Sequence, residues 1–438
     1  DTAQSLNNLG YYFDLMGDHM AAKVYYLEAL KIRKEILGED HYLTVGSLNN
    51  VGAVLLTMGD YAAAKPYFEE ALQINKIVWG ERHLTTTNSL NSLGSLLQAM
   101  GDYTGAKAYF EKALEINRAI LGKMHPDIAL LLNNMGHLLN LMGDYATAQS
   151  YYEETLEITQ VSLGEKHPDT AQSLNNLGYT LQAMGDYAAA KPYYEEALSI
   201  RKAVLGTQHP ATANSLNNLG FLFQVAGDYV AAKPYFEDAL KIRKASLGES
   251  HPDTAGSLNN LGYILQAMGN YAAAKPYYEQ ALKIRKSILG AQHPDTAQSL
   301  NNVGYLLQAM EDYVAAKPYF EEALEIRKIT LGKSHPSISN SLNNIGFVYQ
   351  ALGDYEAAKA SFEEALEIGR KALGERHPDV VPSLHNLGFV LQMMGDYPAA
   401  KSYVEQALSI REEKLGIEHP KTKTVRDNLK LLIEQMEG

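Results

Sequence analysis

The sequence predicts an all-α fold, a solenoid of ten stacked helical hairpins followed by one C-terminal capping helix. Two observations predict it. A Gly that closes a Leu-Asn-Asn motif or a near variant stands at 10, 52, 94, 136, 178, 220, 262, 304, 346 and 388, ten copies 42 residues apart without insertion or deletion, and a strict period marks a repeat array. Within each period the apolar and small residues fall twice at three-and-four spacing, on either side of a Gly-Asp pair, which is the signature of two amphipathic helices joined by a tight turn. The period replaces the two or three globular domains that 438 residues would otherwise suggest with one elongated domain. The repeats occupy 1–419, with boundaries near 41, 83, 125, 167, 209, 251, 293, 335 and 377, and the cap occupies 420–438.

Repeat five, residues 167–208, shows the unit. His167-Pro168-Asp169-Thr170 opens the first helix, A: Pro suits the first helical position, where its missing N–H costs nothing, and Asp169 complements the positive end of the dipole. Ala171, Leu174, Leu177, Gly178 and Leu181 form one buried stripe. Gly178 is in a helix interior, where it costs up to about 1 kcal/mol relative to Ala, so its recurrence predicts a neighbour too close for a β-carbon, from the second helix of the same repeat. Helix A ends at Met184-Gly185, Asp186 caps helix B, and B runs from Tyr187 to about Leu205 before Gly206. Ala190, Tyr194, Ala197 and Leu198 face inward, and Pro192 is expected to kink or loosen the first turns.

Departures from the unit carry information. Glu311 replaces the turn Gly, which predicts a non-Gly residue at positive φ. From Pro420 the pattern decays to one apolar face of Val425, Leu429, Leu432, Ile433 and Met436, as a solubilising cap requires. The chain begins at Asp1, in phase with Asp127 and Asp169, so we expect a fragment of a longer protein.

Composition narrows the function classes. Without cysteine there is no disulfide, thiolate metal site or cysteine nucleophile, which fits an intracellular, cytoplasmic protein. No run approaches the length of apolar sequence that crosses a membrane, and a net charge of -13 without a basic stripe argues against nucleic acid. Histidines recur at the phase of His167, from His41 to His419. Neighbouring repeats hold them at least about 8–10 Å apart, whereas a metal ion needs ligands about 2 Å away, so no metal or other cofactor is expected. No acid, base or nucleophile constellation breaks the repeat symmetry, so the chain is not read as an enzyme.

The pattern of Leu174, Leu177-Gly178, Gly185-Asp186-Tyr187, Ala190, Tyr194 and Ala197-Leu198 resembles the tetratricopeptide repeat. The extra eight residues over the ordinary 34, with Ala-Leu-x-Ile-Arg-Lys and Leu-Gly-x-x-His-Pro-Asp, are similar to the repeats of kinesin light chains and their bacterial relatives. The resemblance implies a right-handed superhelix whose concave face is lined by helix A and binds extended peptides.

The side of helix A opposite its buried stripe collects Gln172, Asn175, Asn176, Tyr179, Gln182 and Ala183. The phase of Asn176 is Asn in nine of ten repeats, at Asn8, Asn50, Asn134, Asn176, Asn218, Asn260, Asn302, Asn344 and Asn386. By its place before Leu-Gly it resembles the asparagine ladder of O-linked N-acetylglucosamine transferase, where such side chains hold a peptide backbone, and an amide offers the donor and acceptor this requires. The competing reading has Asn176 merely bond to neighbouring backbone and stabilise stacking. Asn175 lies nearer the core and is expected to bond between repeats. Tyr179, Phe221, Tyr263, Tyr305, Phe347 and Phe389 form an aromatic stripe that either packs or contacts ligand. Over these six phases the only charges are Asp14 and the imidazoles of His137 and His385, so a nearly neutral groove is expected. The function predicted is a non-catalytic scaffold that binds a protein or peptide partner in the concave groove. The alternative is a structural spacer or self-associating rod, with end-to-end contact through the first repeat.

Overall fold

The computed structural model describes residues 2–437. Its elements among these residues are 21 α-helices and one short 3-10 turn. Helix A of the successive repeats spans Thr2–Leu15, Tyr42–Thr57, Leu84–Ala99, Pro126–Leu141, Pro168–Ala183, Pro210–Val225, Pro252–Ala267, Pro294–Ala309, Pro336–Ala351 and Val381–Met393. Helix B spans His19–Leu37, Tyr61–Trp79, Tyr103–Leu121, Tyr145–Leu163, Tyr187–Val204, Tyr229–Leu247, Tyr271–Ile288, Tyr313–Leu331, Tyr355–Leu373 and Tyr397–Leu415, and Pro420–Glu437 follows. In repeat ten the first turn is the 3-10 segment Pro378–Val380, because Pro382 has no N–H to give the first i→i−4 bond. Helix B of repeat five is continuous through Pro192, its sixth residue.

Local chemistry sets each helix end. The Asp186 side chain accepts from Ala189 N at 2.9 Å, and Gly185 sits at φ 86°. Glu311 takes φ 62°, the one non-Gly positive φ among the described residues, as its place in the turn requires. Each His of the His-Pro phase is itself the N-cap of helix A: His167 Nδ1 accepts from Asp169 N at 3.1 Å, and His41 and His419 do the same two residues on. The His row is therefore a row of helix caps, a role the sequence pattern alone did not reveal.

The repeat glycine seats an aromatic ring of helix B. A β-carbon on Gly178 would lie 3.0 Å from Tyr194 Cε1, and one on Gly346 would lie 2.5 Å from Phe362 Cε1. Tyr194, Phe236, Tyr278, Phe320 and Phe362 are almost wholly buried, so this ring is the centre of these hairpins' cores, and in repeat ten Val404 takes its place against Gly388. Within each body hairpins pack side by side, B helices packing on the A helices of their own and the following repeat, and A helices touching the next A helix from Tyr42–Thr57 through Pro210–Val225 and at Pro336–Ala351 with Val381–Met393.

The chain forms two compact bodies, Asp1–Thr296 and Ala297–Gly438, divided inside the helix Pro294–Ala309. In the first, residues far apart in sequence meet: His293 Nε2 donates to the Thr57 carbonyl at 2.9 Å, and Gly17 and Gly59 lie against Pro252 and Pro294. In the second, Val425 and Leu432 of the last helix are buried in the same cluster as Val404 and Ile410 of the preceding one.

Candidate functional site

Both asparagines of the Asn-Asn pair are bonded between repeats. Asn175 Nδ2 donates to the Ala171 carbonyl at 2.9 Å and to Ser215 Oγ of the next repeat at 3.3 Å, the inter-repeat role expected for it. Its carbonyl oxygen accepts from Asn218 Nδ2 at 3.0 Å. The same link joins Asn50 to Asn7, Asn134 to Asn91, Asn176 to Asn133, Asn260 to Asn217 and Asn386 to Asn343. In these repeats the second Asn thus donates to the first Asn of the repeat before it, and Asn176 and Asn218 remain half-buried. Asn428 extends the series, its Nδ2 lying 2.6 Å from His385 Nε2. It stands 42 residues beyond Asn386, a spacing that could have identified it.

The amide oxygens of several second asparagines also have partners. Gln4 donates to Asn8 at 2.8 Å, Gln172 to Asn176 at 2.8 Å and Gln298 to Asn302 at 3.2 Å, while the Tyr305 hydroxyl donates to Asn344 Oδ1 at 2.7 Å. Of the aromatic stripe, Tyr179, Tyr263, Tyr305 and Phe389 are exposed, and Phe221 and Phe347 are half-buried. Phe221 and Tyr305 set their rings edge-on to the core rings Phe236 and Phe320, at 5.2 and 5.3 Å between centroids.

One element of the site comes from helix B, where the count of charges over helix A could not find it. Arg201 reaches between A helices to donate to the Ala211 carbonyl at 3.1 Å, Ser215 Oγ at 3.0 Å and Gln172 Oε1 at 2.6 Å. Arg33, Arg243 and Arg327 are held alike by a Ser of the next helix A and an amide oxygen of their own repeat. Among the described residues Arg33, Arg201, Arg243 and Arg327 form no ion pair. Burial pushes the Arg201 and Arg327 guanidiniums below their ordinary value, yet an arginine stays charged in a protein. Such an uncompensated buried charge is costly unless fully hydrogen-bonded, which explains the Ser and Gln around it.

In the second body these parts converge. A cavity of about 470 Å³ is lined by Asn301, Tyr305, Asn343, Asn344, Phe347 and Asn386, with Arg327 on its floor. The lining of this cavity is therefore amide-rich and aromatic, with a cation that makes it less neutral than helix A alone suggests. No group of His, Asp or Glu that could hold a metal occurs among the described residues, and no helix among them is long and apolar enough to cross a membrane.

The tetratricopeptide repeat model matches residues 1–77, 127–203, 173–245, 211–287, 253–329, 337–413 and 383–435, and a second model of the same description matches 86–127. The chain belongs to the tetratricopeptide repeat family. It is similar to the crystal structure of BtubC (BKLC) from P. vanneervenii, at 26% identity over 53% of this chain and 91% of that one, TM-score 0.43. It is also similar to a Podosopora anserina protein of nearly identical TPR-like repeats described as a kinesin light chain, at 27% identity over 47% and 97%, TM-score 0.40. A Rap protein complexed with Competence and Sporulation Factor shares the fold, at 14% identity over 84% and 98%, TM-score 0.56. No curated protein matches. The family makes a protein-interaction scaffold the function class of this tetratricopeptide repeat chain.

Proposed function

We propose that the chain is a non-catalytic scaffold that holds an extended segment of a protein partner along the face of its A helices. The observation that supports this most directly is the cavity over Arg327, where Asn344, Asn386, Tyr305 and Phe347 line one open space of about 470 Å³. Amides supply donors and acceptors for a peptide backbone whatever its sequence, and half-exposed rings supply apolar contact. In this reading the second asparagines, Asn8, Asn50, Asn134, Asn176, Asn218, Asn260, Asn302, Asn344 and Asn386, offer amide groups to the partner, while Asn50, Asn134, Asn176, Asn218, Asn260 and Asn386 also use one N–H to align the repeats. A packing step of about 8–10 Å per repeat matches roughly three residues of extended chain at about 3.3 Å each. The partner is neither nucleic acid nor membrane, since the acidic chain presents no basic stripe to either.

The spacer reading draws on a different observation, the His293–Thr57 and Gly17–Pro252 contacts that tie distant repeats of the first body together. A peptide library bound to the full chain separates the two, with Asn176→Ala, Asn218→Ala and Asn260→Ala combined. The scaffold reading expects selected peptides to lose at least about tenfold in affinity while the variant keeps its helical signal. A peptide that binds the folded triple variant equally well refutes the ladder, and a library in which nothing binds favours the spacer.

A further inference from the structure

Six repeats carry Arg at one phase of helix B, repeats two, three and nine carry Asn75, Asn117 and Gly369 there, and repeat four departs from the arginine-bearing ones at two positions. Where they carry Arg on helix B and mostly Gln or Asn on helix A, it carries Thr159 and Leu130. The two changes answer each other, because the Gln and the Arg of one repeat are hydrogen-bond partners, as in Gln172 and Arg201. With both gone, the space of the guanidinium is empty. A cavity of about 210 Å³ opens there between the A helices of repeats four and five, lined by Ala129, Leu130, Thr155, Thr159, Leu163 and Ser173 among others. Leu130, Asn133, Thr159 and Gln172 are the counterparts in phase of Gln298, Asn301, Arg327 and Asn340, all of which line the cavity of the second body. The two cavities therefore lie on the same face of the repeat, one with a cation on its floor and one without.

The chemistry of the lining decides what fits. The hydroxyls around the cavity are already bonded, Thr155 Oγ1 to the Tyr151 carbonyl at 2.8 Å, Thr159 Oγ1 to the Leu156 carbonyl at 3.1 Å and Ser173 Oγ to the Asp169 carbonyl at 3.1 Å, and Asn133 Oδ1 accepts from Asn176. Gln172 holds both Asn176 and Arg201. The hydroxyls of the wall ask for no polar ligand. The one ionised group of the lining, Asp169, is mostly exposed at the rim and repels anions. Leu130 is 59% exposed and Leu163 36% exposed, so apolar surface waits at the mouth to be covered.

We infer that this cavity is a subsite for one branched aliphatic side chain, leucine-like, of the segment bound along the A helices. Size agrees, since a dry cavity of about 150 Å³ takes a benzene-sized molecule. An apolar socket in an amide-lined face fixes register: backbone contacts repeat at every step, and Leu130 with Thr159, a pair that no other repeat carries at these phases, tells the bound segment where to stop. The inference rests on the proposed groove binding for its biological meaning, but the pocket is testable alone.

The test titrates N-acetyl-leucine methylamide into the full chain with methyl-labelled Ala, Leu and Val, with N-acetyl-alanine methylamide as comparison. Saturable shifts at Ala129, Leu130 and Leu163, with intermolecular NOEs from the probe's methyls to Ala129, are expected, and the alanine probe should need at least about fivefold more. The double variant Leu130→Gln, Thr159→Arg restores the array's own pair and fills the socket, and should abolish the shifts while keeping the fold. Absent NOEs, equal response to both probes, or shifts that survive in the folded double variant overturn the inference. Peptides that bind the groove with no aliphatic preference at any position would sink this subsite and leave the groove reading standing.

Discussion

Replacing Gly346 by Ala tests the packing on which every hairpin depends. The new β-carbon would sit 2.5 Å from Phe362 Cε1, 2.8 Å from Cδ1 and 2.9 Å from Cζ, against an ordinary contact of at least 3.4 Å. The ring must retreat by about 0.9 Å along the shortest of these, and Phe362 is 0% exposed, so it can move only by displacing the helices around it. Overpacking of this kind costs about 1–3 kcal/mol, and a deficit this large belongs near the upper end. Against it, Ala gains about 1 kcal/mol of helix propensity over Gly. The net expectation is a loss of about 2 kcal/mol. Gly46 is the internal control, since it too is within a helix but a β-carbon there meets nothing within 4 Å; Gly46→Ala should stabilise by up to about 1 kcal/mol. Denaturation of the full chain, with hydrogen exchange localising the effect to Pro336–Ala351 and Tyr355–Leu373, reads both. Opposite signs for the two substitutions are required. If Gly346→Ala is as stable as the parent, the close approach of Phe362 is not why Gly stands at this phase.

Three further outcomes follow from named contacts. Glu311→Gly removes a side chain from a left-handed turn position at φ 62° and should raise stability by about 1 kcal/mol, seen as a higher denaturation midpoint; no gain would mean that the turn holds Glu without strain. Arg201→Ala removes the donor to Gln172, Ser215 and the Ala211 carbonyl and should cost about 1–3 kcal/mol, whereas an unchanged melting curve would show the buried cation to be dispensable. His293 gives a pH dependence: burial holds its imidazole below the ordinary value, Arg285 and His19 assist, and the Thr57 carbonyl and Asp295 oppose. A depressed base is protonated first in the unfolded chain, so its contribution is present above about pH 6.5 and lost as pH falls through the lower folded value. Asn can cap the helix without titrating, so His293→Asn should lose less stability than the parent between about pH 7.5 and 5.5, and equal losses would contradict this account.

The sequence by itself determined the repeat, its helix pair, the capping Asp186, the positive φ of Glu311 and the crowding at Gly178. All of these are set by local backbone chemistry or by the partner sixteen residues on, and both recur in every period. It also marked the helix A positions that face inward, because helical periodicity fixes direction. What only the tertiary structure decided lies between repeats. That Asn176 donates to Asn133 depends on how two helices 42 residues apart come into register, which no single helical wheel contains. The guanidiniums of Arg201 and Arg327 belong by sequence to the outer helix, next to Lys residues that are solvated, and only the gap between neighbouring A helices brings them to the inner face. The same holds for the socket at Leu130 and Thr159. Two substitutions 29 residues apart look unrelated in the chain, and become one cavity because the side chains they replace would have been hydrogen-bond partners.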